Sequence, residues 1–162
     1  MSPGIVELIK HLNLEPHPEG GFYKEVFRSE EHIHSPDFED SRSLLTSIYF
    51  LITAGNFSAF HRIAGNELWY YHYGATCTIH VLQQEGGYTK INLGKAVEEG
   101  EKFQAIVKSG DWFASETTGD YSLVGCVVAP GFDFKDLEMA NRNKLILAYP
   151  GQMELIERLC RS

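Results

Sequence analysis

The sequence predicts an all-β domain framed by short helices, and three features carry that expectation. Over most of the chain apolar residues alternate with a period of two rather than 3.6. Ten short runs rich in aromatic and β-branched residues follow one another, and turn chemistry separates each from the next. Many short strands at regular spacing build a sandwich, a barrel or a jelly roll.

The runs are FYKEVF (22–27), LLTSIYFLI (44–52), FSAFHRI (57–63), ELWYYHY (67–73), TCTIHVLQ (76–83), YTKINL (88–93), FQAIVK (103–108), WFAS (112–115), YSLVGCVVA (121–129) and FDFKDLEM (132–139). Between them lie Ala54-Gly55-Asn56, Ala64-Gly65-Asn66, Glu85-Gly86-Gly87, Ser109-Gly110-Asp111, Thr118-Gly119-Asp120 and Pro130-Gly131, which turn the chain back on itself. Helical spacing is confined to the ends. Ser2-Pro3 offers a cap and a first-turn proline, and Ile5, Leu8, Ile9 and Leu12 predict a short amphipathic helix to about Asn13. The prolines and paired glycines of EPHPEGG then open a loop over residues 15–21. At the other end Asn141 caps NRNKLILA, Pro150 interrupts, and QMELIERL sets Met153, Ile156 and Leu159 on one face.

With 162 residues, 43% hydrophobic and 22% charged, the chain has the composition of one globular domain. Its formal charge is −8, and its lysines and arginines form no stripe, which excludes the electrostatic footprint of nucleic-acid binding. MSPGIVELIKHLNL lacks the basic and apolar regions of a leader, and no long apolar run crosses a membrane, so a cytoplasmic protein is expected. Cys77, Cys126 and Cys160 are odd in number and lack Cys-x-x-Cys spacing; they are expected to be reduced and structural.

The stretch SAFHRIAGNELWYYHYG (58–74) carries the chemistry. Alternation puts Glu67, Trp69, Tyr71 and Tyr73 on one face of its second strand, with Leu68, Tyr70 and His72 on the other. A tight turn through IAGN brings His61 of the preceding strand to the same region as Glu67. A histidine beside a buried carboxylate is a general-base arrangement and also half of a metal site. A carboxylate among aromatic rings would cost several kcal/mol unpaired, so a partner or a function must hold it.

The spacing of His61, Ile63, Glu67 and Gly74 resembles the first motif of the cupin superfamily, whose histidines and glutamate bind a divalent metal inside a small jelly-roll barrel. KSGDWF aligns with the second motif and places Phe113 where the last metal-binding histidine is expected. Ile63 and Phe113 thus stand at two ligand positions, leaving His61 and Glu67 short of the three or four protein ligands such metals take, and no metal cofactor is expected. HPEGGFY (17–23), SAFHRI, ELWYYHYG, GDWFAS and APGFDFKDLE (129–138), in that order, are similar to one small-cupin family without an assigned function. The resemblance implies a cupin double-stranded β-helix, or jelly-roll barrel, over residues 21–139. A helix and loop over 1–20 and helices over 141–160 flank it, in a single domain over 1–162. That family's barrel in turn resembles those of dTDP-sugar epimerases and sugar-phosphate isomerases.

Candidate pocket residues follow. Phe60, Trp69, Tyr71 and Phe113 are read as core or pocket wall, since aromatic walls with a few polar groups make small-ligand cavities. Gly20-Gly21 permits a close backbone approach that lets Glu19 and Tyr23 reach the barrel mouth. Tyr49, Tyr71 and Asp133 are candidates for a second acid. His32 and His34 lie in a polar segment and are read as solvated, and His72 and His80 receive no role. Two functions remain open: a carrier or sensor that binds a small polar metabolite, sugar-like or sugar-phosphate-like, and a metal-independent epimerase or isomerase using His61 as base oriented by Glu67. A homodimer paired through the edge of FYKEVF is expected in either case.

Overall fold

Two antiparallel sheets face each other in the computed structural model, which describes residues 3–161. The chain runs α1 (Pro3–His11), β1 (Glu15–Pro16), β2 (Phe22–Arg28), β3 (His32–Ile33), β4 (Arg42–Ser43), β5 (Thr46–Thr53), β6 (Phe57–Arg62), β7 (Asn66–Gly74) and β8 (Cys77–Leu82). There follow β9 (Tyr88–Leu93), β10 (Gln104–Val107), β11 (Trp112–Thr117), β12 (Tyr121–Ala129), β13 (Glu138–Met139), α2 (Arg142–Ala148) and α3 (Met153–Leu159). One sheet has the order β1-β2-β5-β12-β7-β10 and the other β13-β6-β11-β8-β9, while β3 and β4 form a separate small hairpin. The crossovers between sheets make this a jelly roll, an open sandwich in which the sheets share no strand.

Alternation along the strands sorts side chains into layers. Phe50, Ile52, Trp69, Ile79, Phe113, Val124 and Cys126 point between the sheets and form the central core. Residues between them point outward, and the terminal helices cover part of each outer face. Ile5, with Leu8, Ile9 and Leu12 of the α1 region, packs on Leu51 and Leu123, whereas Leu145, Ile156 and Leu159 of α2 and α3 pack on Phe60, Leu82 and Ala114. Asn141 caps α2 by accepting from the Lys144 N–H. The Ser2 cap expected for α1 lies outside the described residues. Met153 is 48% exposed, so the buried stripe of α3 is Ile156 and Leu159 alone. No helix among the described residues is long and apolar enough to cross a membrane.

Two departures from the sequence expectation bear on the site. FDFKDLEM is not a strand over its length. Asp133 accepts from the Lys135 N–H and caps a 3-10 turn at Phe134–Asp136, leaving only Glu138–Met139 to pair with β6. That turn is pinned by Arg42, buried and paired through both Nε and Nη2 to the Asp136 carboxylate at 2.7 Å. In β7 a register shift between Tyr71 and Tyr73 opposite Val124 and Leu123 breaks the alternation. Tyr73 therefore leaves the interior face, is 64% exposed and lies beside Tyr121.

The HPEGG loop is seated by its glycines. Gly20 has φ 111°, and a Cβ there would lie 2.1 Å from the Phe57 carbonyl oxygen. Gly21 has φ 79°, and its Cβ would lie 2.8 Å from the Leu51 carbonyl oxygen. Only glycine lets the loop lie this close to β5 and β6. Gly20→Ala should therefore destabilise the fold by at least about 2 kcal/mol in urea denaturation, through strained backbone and steric clash; an unchanged midpoint would show that the loop does not need this approach.

Candidate functional site

The seated loop delivers Glu19 to the interior. The Ala59 N–H donates to the Glu19 carbonyl at 2.9 Å, which adds the loop to β6 and aims the Glu19 side chain at His61 two residues along. Glu19 Oε2 lies 2.7 Å from His61 Nε2. The other ring nitrogen, Nδ1, lies 2.7 Å from the Ala59 carbonyl oxygen, which can only accept, so Nδ1 carries a proton. With both residues buried, the Nε2–Oε2 contact is a charge-assisted hydrogen bond between an imidazolium and a carboxylate. Burial is the largest single influence and opposes both charges, but the pairing and the neighbouring hydrogen bonds together outweigh it: the His61 pKa is raised and that of Glu19 is lowered.

Glu67 of β7 faces the same space in a different state. It is 7% exposed, lines the cavity, and makes no ion pair among the described residues. Burial, and then repulsion from Glu19, lift its pKa from the ordinary 4.5 to about 8, so it is a neutral carboxylic acid at pH 7. The Cys126 thiol and the Trp69 indole N–H face its carboxyl and favour the ionised form less than burial disfavours it, the indole lying outside ordinary hydrogen-bond geometry. Burial raises the Cys126 thiol well above its ordinary pKa, which leaves it an unreactive lining group.

Around these groups is a cavity of about 260 Å³. Its inner end holds Glu19, His61, Glu67, Cys126, Ile63 and Val128; its outer end holds His17, Tyr23, Glu25, Arg28, Phe132 and Phe134. His17 takes the Glu19 N–H on its Nδ1 at 3.3 Å, and burial lowers its pKa, so it is neutral. Its ring sits 4.6 Å from Tyr23 and 5.9 Å from Phe134, while Phe132 and Phe134 meet edge to face at 5.0 Å. Arg28 is held by Glu25 at 2.8 Å and by the Phe132 carbonyl at 3.0 Å.

Of the residues singled out in the sequence, Glu19, Tyr23, His61 and Glu67 line this cavity. Trp69 and Phe113 lie behind its wall, with the Phe113 ring 4.1 Å from that of His61. The remaining candidates lie elsewhere. Phe60 faces α2 and α3, and Tyr49 faces the α1 layer, because each neighbours an inward residue, His61 or Phe50, on its strand. Tyr71 spends its hydroxyl on the Gly74 carbonyl at 2.7 Å, and Asp133 spends its carboxylate on the turn it caps. The expected orientation of His61 by Glu67 also gives way, since the carboxylate bonded to His61 is Glu19. His17, Phe132 and Phe134 were not anticipated. His17 stands two residues before Glu19 in the same tight loop, which was the signal for it. His80, outside the central core, closes a network with the Tyr88 hydroxyl and Glu116, each at 2.9 Å, and Arg158 grips the same carboxylate. His32 and His34 are exposed, although His32–Ile33 pairs with Arg42–Ser43.

The residues present do not fit the divalent metal of the cupin motif. Both nitrogens of His61 are engaged, Ile63 and Phe113 offer no lone pair, and no three His, Cys, Asp or Glu side chains among the described residues form a metal-holding group.

The state of Glu67 has a measurable consequence. A carboxyl whose folded pKa is raised stabilises the fold fully below about pH 4.5, and this is lost as pH climbs through about 8. Between pH 6 and pH 9 the wild type should lose about 2 kcal/mol more unfolding free energy than Glu67→Gln, read by urea denaturation. Parallel profiles for the two proteins would mean that Glu67 is ionised throughout.

Comparison with known proteins agrees with this architecture. The chain matches the family described as Cupin superfamily (DUF985) over residues 6–140. A hypothetical protein from Leishmania major is 35% identical, with a TM-score of 0.90 over 97% of this chain and 98% of its own. A protein from Shewanella oneidensis is 41% identical, with a TM-score of 0.87 and 96% of both chains covered. Oxalate decarboxylase from Bacillus subtilis shares the fold alone, at 14% identity and a TM-score of 0.56 over 89% of this chain and 36% of that one. No curated protein matches. With the matched region spanning helix, jelly roll and site loop, the chain belongs to the DUF985 family of the cupin superfamily.

Proposed function

We propose that the protein binds a small polar metabolite of about the size of a monosaccharide in the cavity between its sheets. The observation that carries this reading is Glu67. A carboxyl group buried at the end of a cavity without an ion pair costs folding free energy that contacts with the Cys126 thiol and the Trp69 indole offset only in part, and a ligand that bonds to it recovers the remainder. Apolar and aromatic walls with a few convergent polar groups have the composition of a small-molecule site.

A catalytic reading is favoured by a second observation, the separation of two neighbouring carboxyl groups into different protonation states. Glu19 is a carboxylate held by His61, and Glu67 is an acid, which assigns base and acid roles across the cavity. In a metal-independent epimerase or isomerase, Glu19 takes the proton from a carbon next to a carbonyl while Glu67 donates one to the carbonyl oxygen. From the resulting enediol, Glu19 returns the proton to the neighbouring carbon while the other hydroxyl gives its proton to Glu67, which moves the carbonyl by one carbon; epimerisation instead requires the proton to return to the first carbon on its opposite face. His61 has no free nitrogen for substrate, so its part is to position Glu19 and keep it ionised.

Monosaccharides and their phosphates separate these readings. Binding predicts that at least one raises the melting temperature, by up to about 2.7 kcal/mol of stabilisation at a hundredfold excess over Kd, and that Glu67→Gln removes the shift. Catalysis adds exchange of a carbon-bound proton for solvent deuterium, lost in Glu19→Gln. A cavity that none of these compounds stabilises would contradict the reading.

The same proposal extends to a homodimer, in a cytoplasmic setting that suits three buried, unpaired cysteines. β1 covers only the start of β2, and beyond it Val26 and Phe27 are 51% and 54% exposed. An open apolar strand edge of this kind favours pairing with a second copy. Sedimentation should give a dimer that Phe27→Asp dissociates; a wild-type monomer at micromolar concentration would rule it out.

A further inference from the structure

The unpartnered carboxyl also bears on what charge the ligand carries, and this step rests on the binding reading above. Each other charge that faces the inner cavity is already matched within the protein. His61 is matched by Glu19, and Arg28, at the outer end, by Glu25. Lys24 also borders the cavity, but it is exposed and paired in register with Tyr49, whose ring belongs to the α1 layer, so alternation turns its side chain away from Glu67. Glu67 and Glu15 are then the lining carboxyls without an ion-pair partner among the described residues, and the inner end of the cavity, around Glu67, has no free cation to receive an anion. The chain as a whole carries −8, so its field also draws cations and repels phosphates. The approach to the inner end passes the rings of Tyr23, Phe132 and Phe134, whose faces attract ammonium groups.

We propose that the cavity selects polyhydroxylated ligands bearing a protonated amine, with the ammonium group seated against Glu67. The groups facing Glu67 are Glu19 from the loop, His61 from β6, Cys126 from β12 and Trp69 from its own strand. None of them supplies a positive charge that is not already matched. An ammonium entering this buried site sheds water and needs a counter-charge. Glu67 provides it by releasing its proton: the carboxylic acid becomes a carboxylate, the ammonium keeps its own protons, and the released proton passes to solvent. Because Glu67 starts protonated at neutral pH, binding of an amine is coupled to proton release, whereas binding of a neutral polyol is not. A phosphate at the same place would face Glu19 and Glu67 with no cation to offset it.

Three probes share one carbon skeleton and differ only in the group on C1: 1-amino-1-deoxysorbitol, sorbitol and sorbitol 1-phosphate. Isothermal titration at pH 7 in two buffers of different ionisation enthalpy measures affinity and proton transfer together. The amine should bind at least tenfold more tightly than sorbitol and release close to one proton per site. Glu67→Gln, confirmed as folded by circular dichroism, should lose both the preference and the proton release. Binding of sorbitol or its phosphate as tightly as the amine, or amine binding without proton release, overturns the charge assignment while leaving the cavity a metabolite site. Binding of none of the three overturns both.

Discussion

The buried contact between Glu19 and His61 organises the space between the sheets. Two charges are taken out of water there, at a cost of several kcal/mol each, and the contact holds because its geometry is complete. The imidazolium donates from one nitrogen to the Glu19 carboxylate and from the other to the Ala59 carbonyl. The glycines of the HPEGG loop make this possible. With any side chain at position 20 the loop would stand off from β6, and Glu19 would not reach. A negative charge fixed at Glu19 in turn raises the cost of a second one at Glu67, so the pair also sets the protonation of the carboxyl beside it.

This arrangement replaces the usual centre of a cupin barrel with one made of protons. Where a metal cupin gathers lone pairs on an ion, this chain places Ile63 and Phe113, and the histidine that remains is occupied by a carboxylate from the N-terminal loop. The interior is thereby divided into a dry half, where Trp69 and Phe113 pack edge to face at 6.2 Å, and a cavity half in which Glu19, His61 and Glu67 hold different protonation states side by side. The 3-10 turn carrying Phe134 borders that cavity and is tied to the body by the Arg42–Asp136 pair.

The fold was legible because it is written in local signals. Period-two alternation and turn residues located nine of the ten strand runs, and the caps and apolar spacing located the terminal helices. FDFKDLEM misled because its aromatic alternation mimics a strand, while Asp133 uses its carboxylate to cap a turn instead. The site was legible only in part. Glu67 lies a few residues from His61 along a hairpin, so sequence proximity suggested that pair, but Glu19, distant in sequence, reaches His61 through tertiary contact. Phe60 and Tyr49 had a signal that was available: residues adjacent to inward ones must face outward. The bulge that expels Tyr73 from the interior had none, since nothing in WYYHYG marks where the extra residue falls.

Proton positions determined by neutron diffraction on crystals grown near pH 7 in heavy water test the central claim most directly. The account predicts deuterons on both Nδ1 and Nε2 of His61, a carboxylate without a deuteron at Glu19, and a deuterated carboxyl at Glu67. A deuteron on Glu19 with His61 Nε2 bare, or an ionised Glu67, would contradict it.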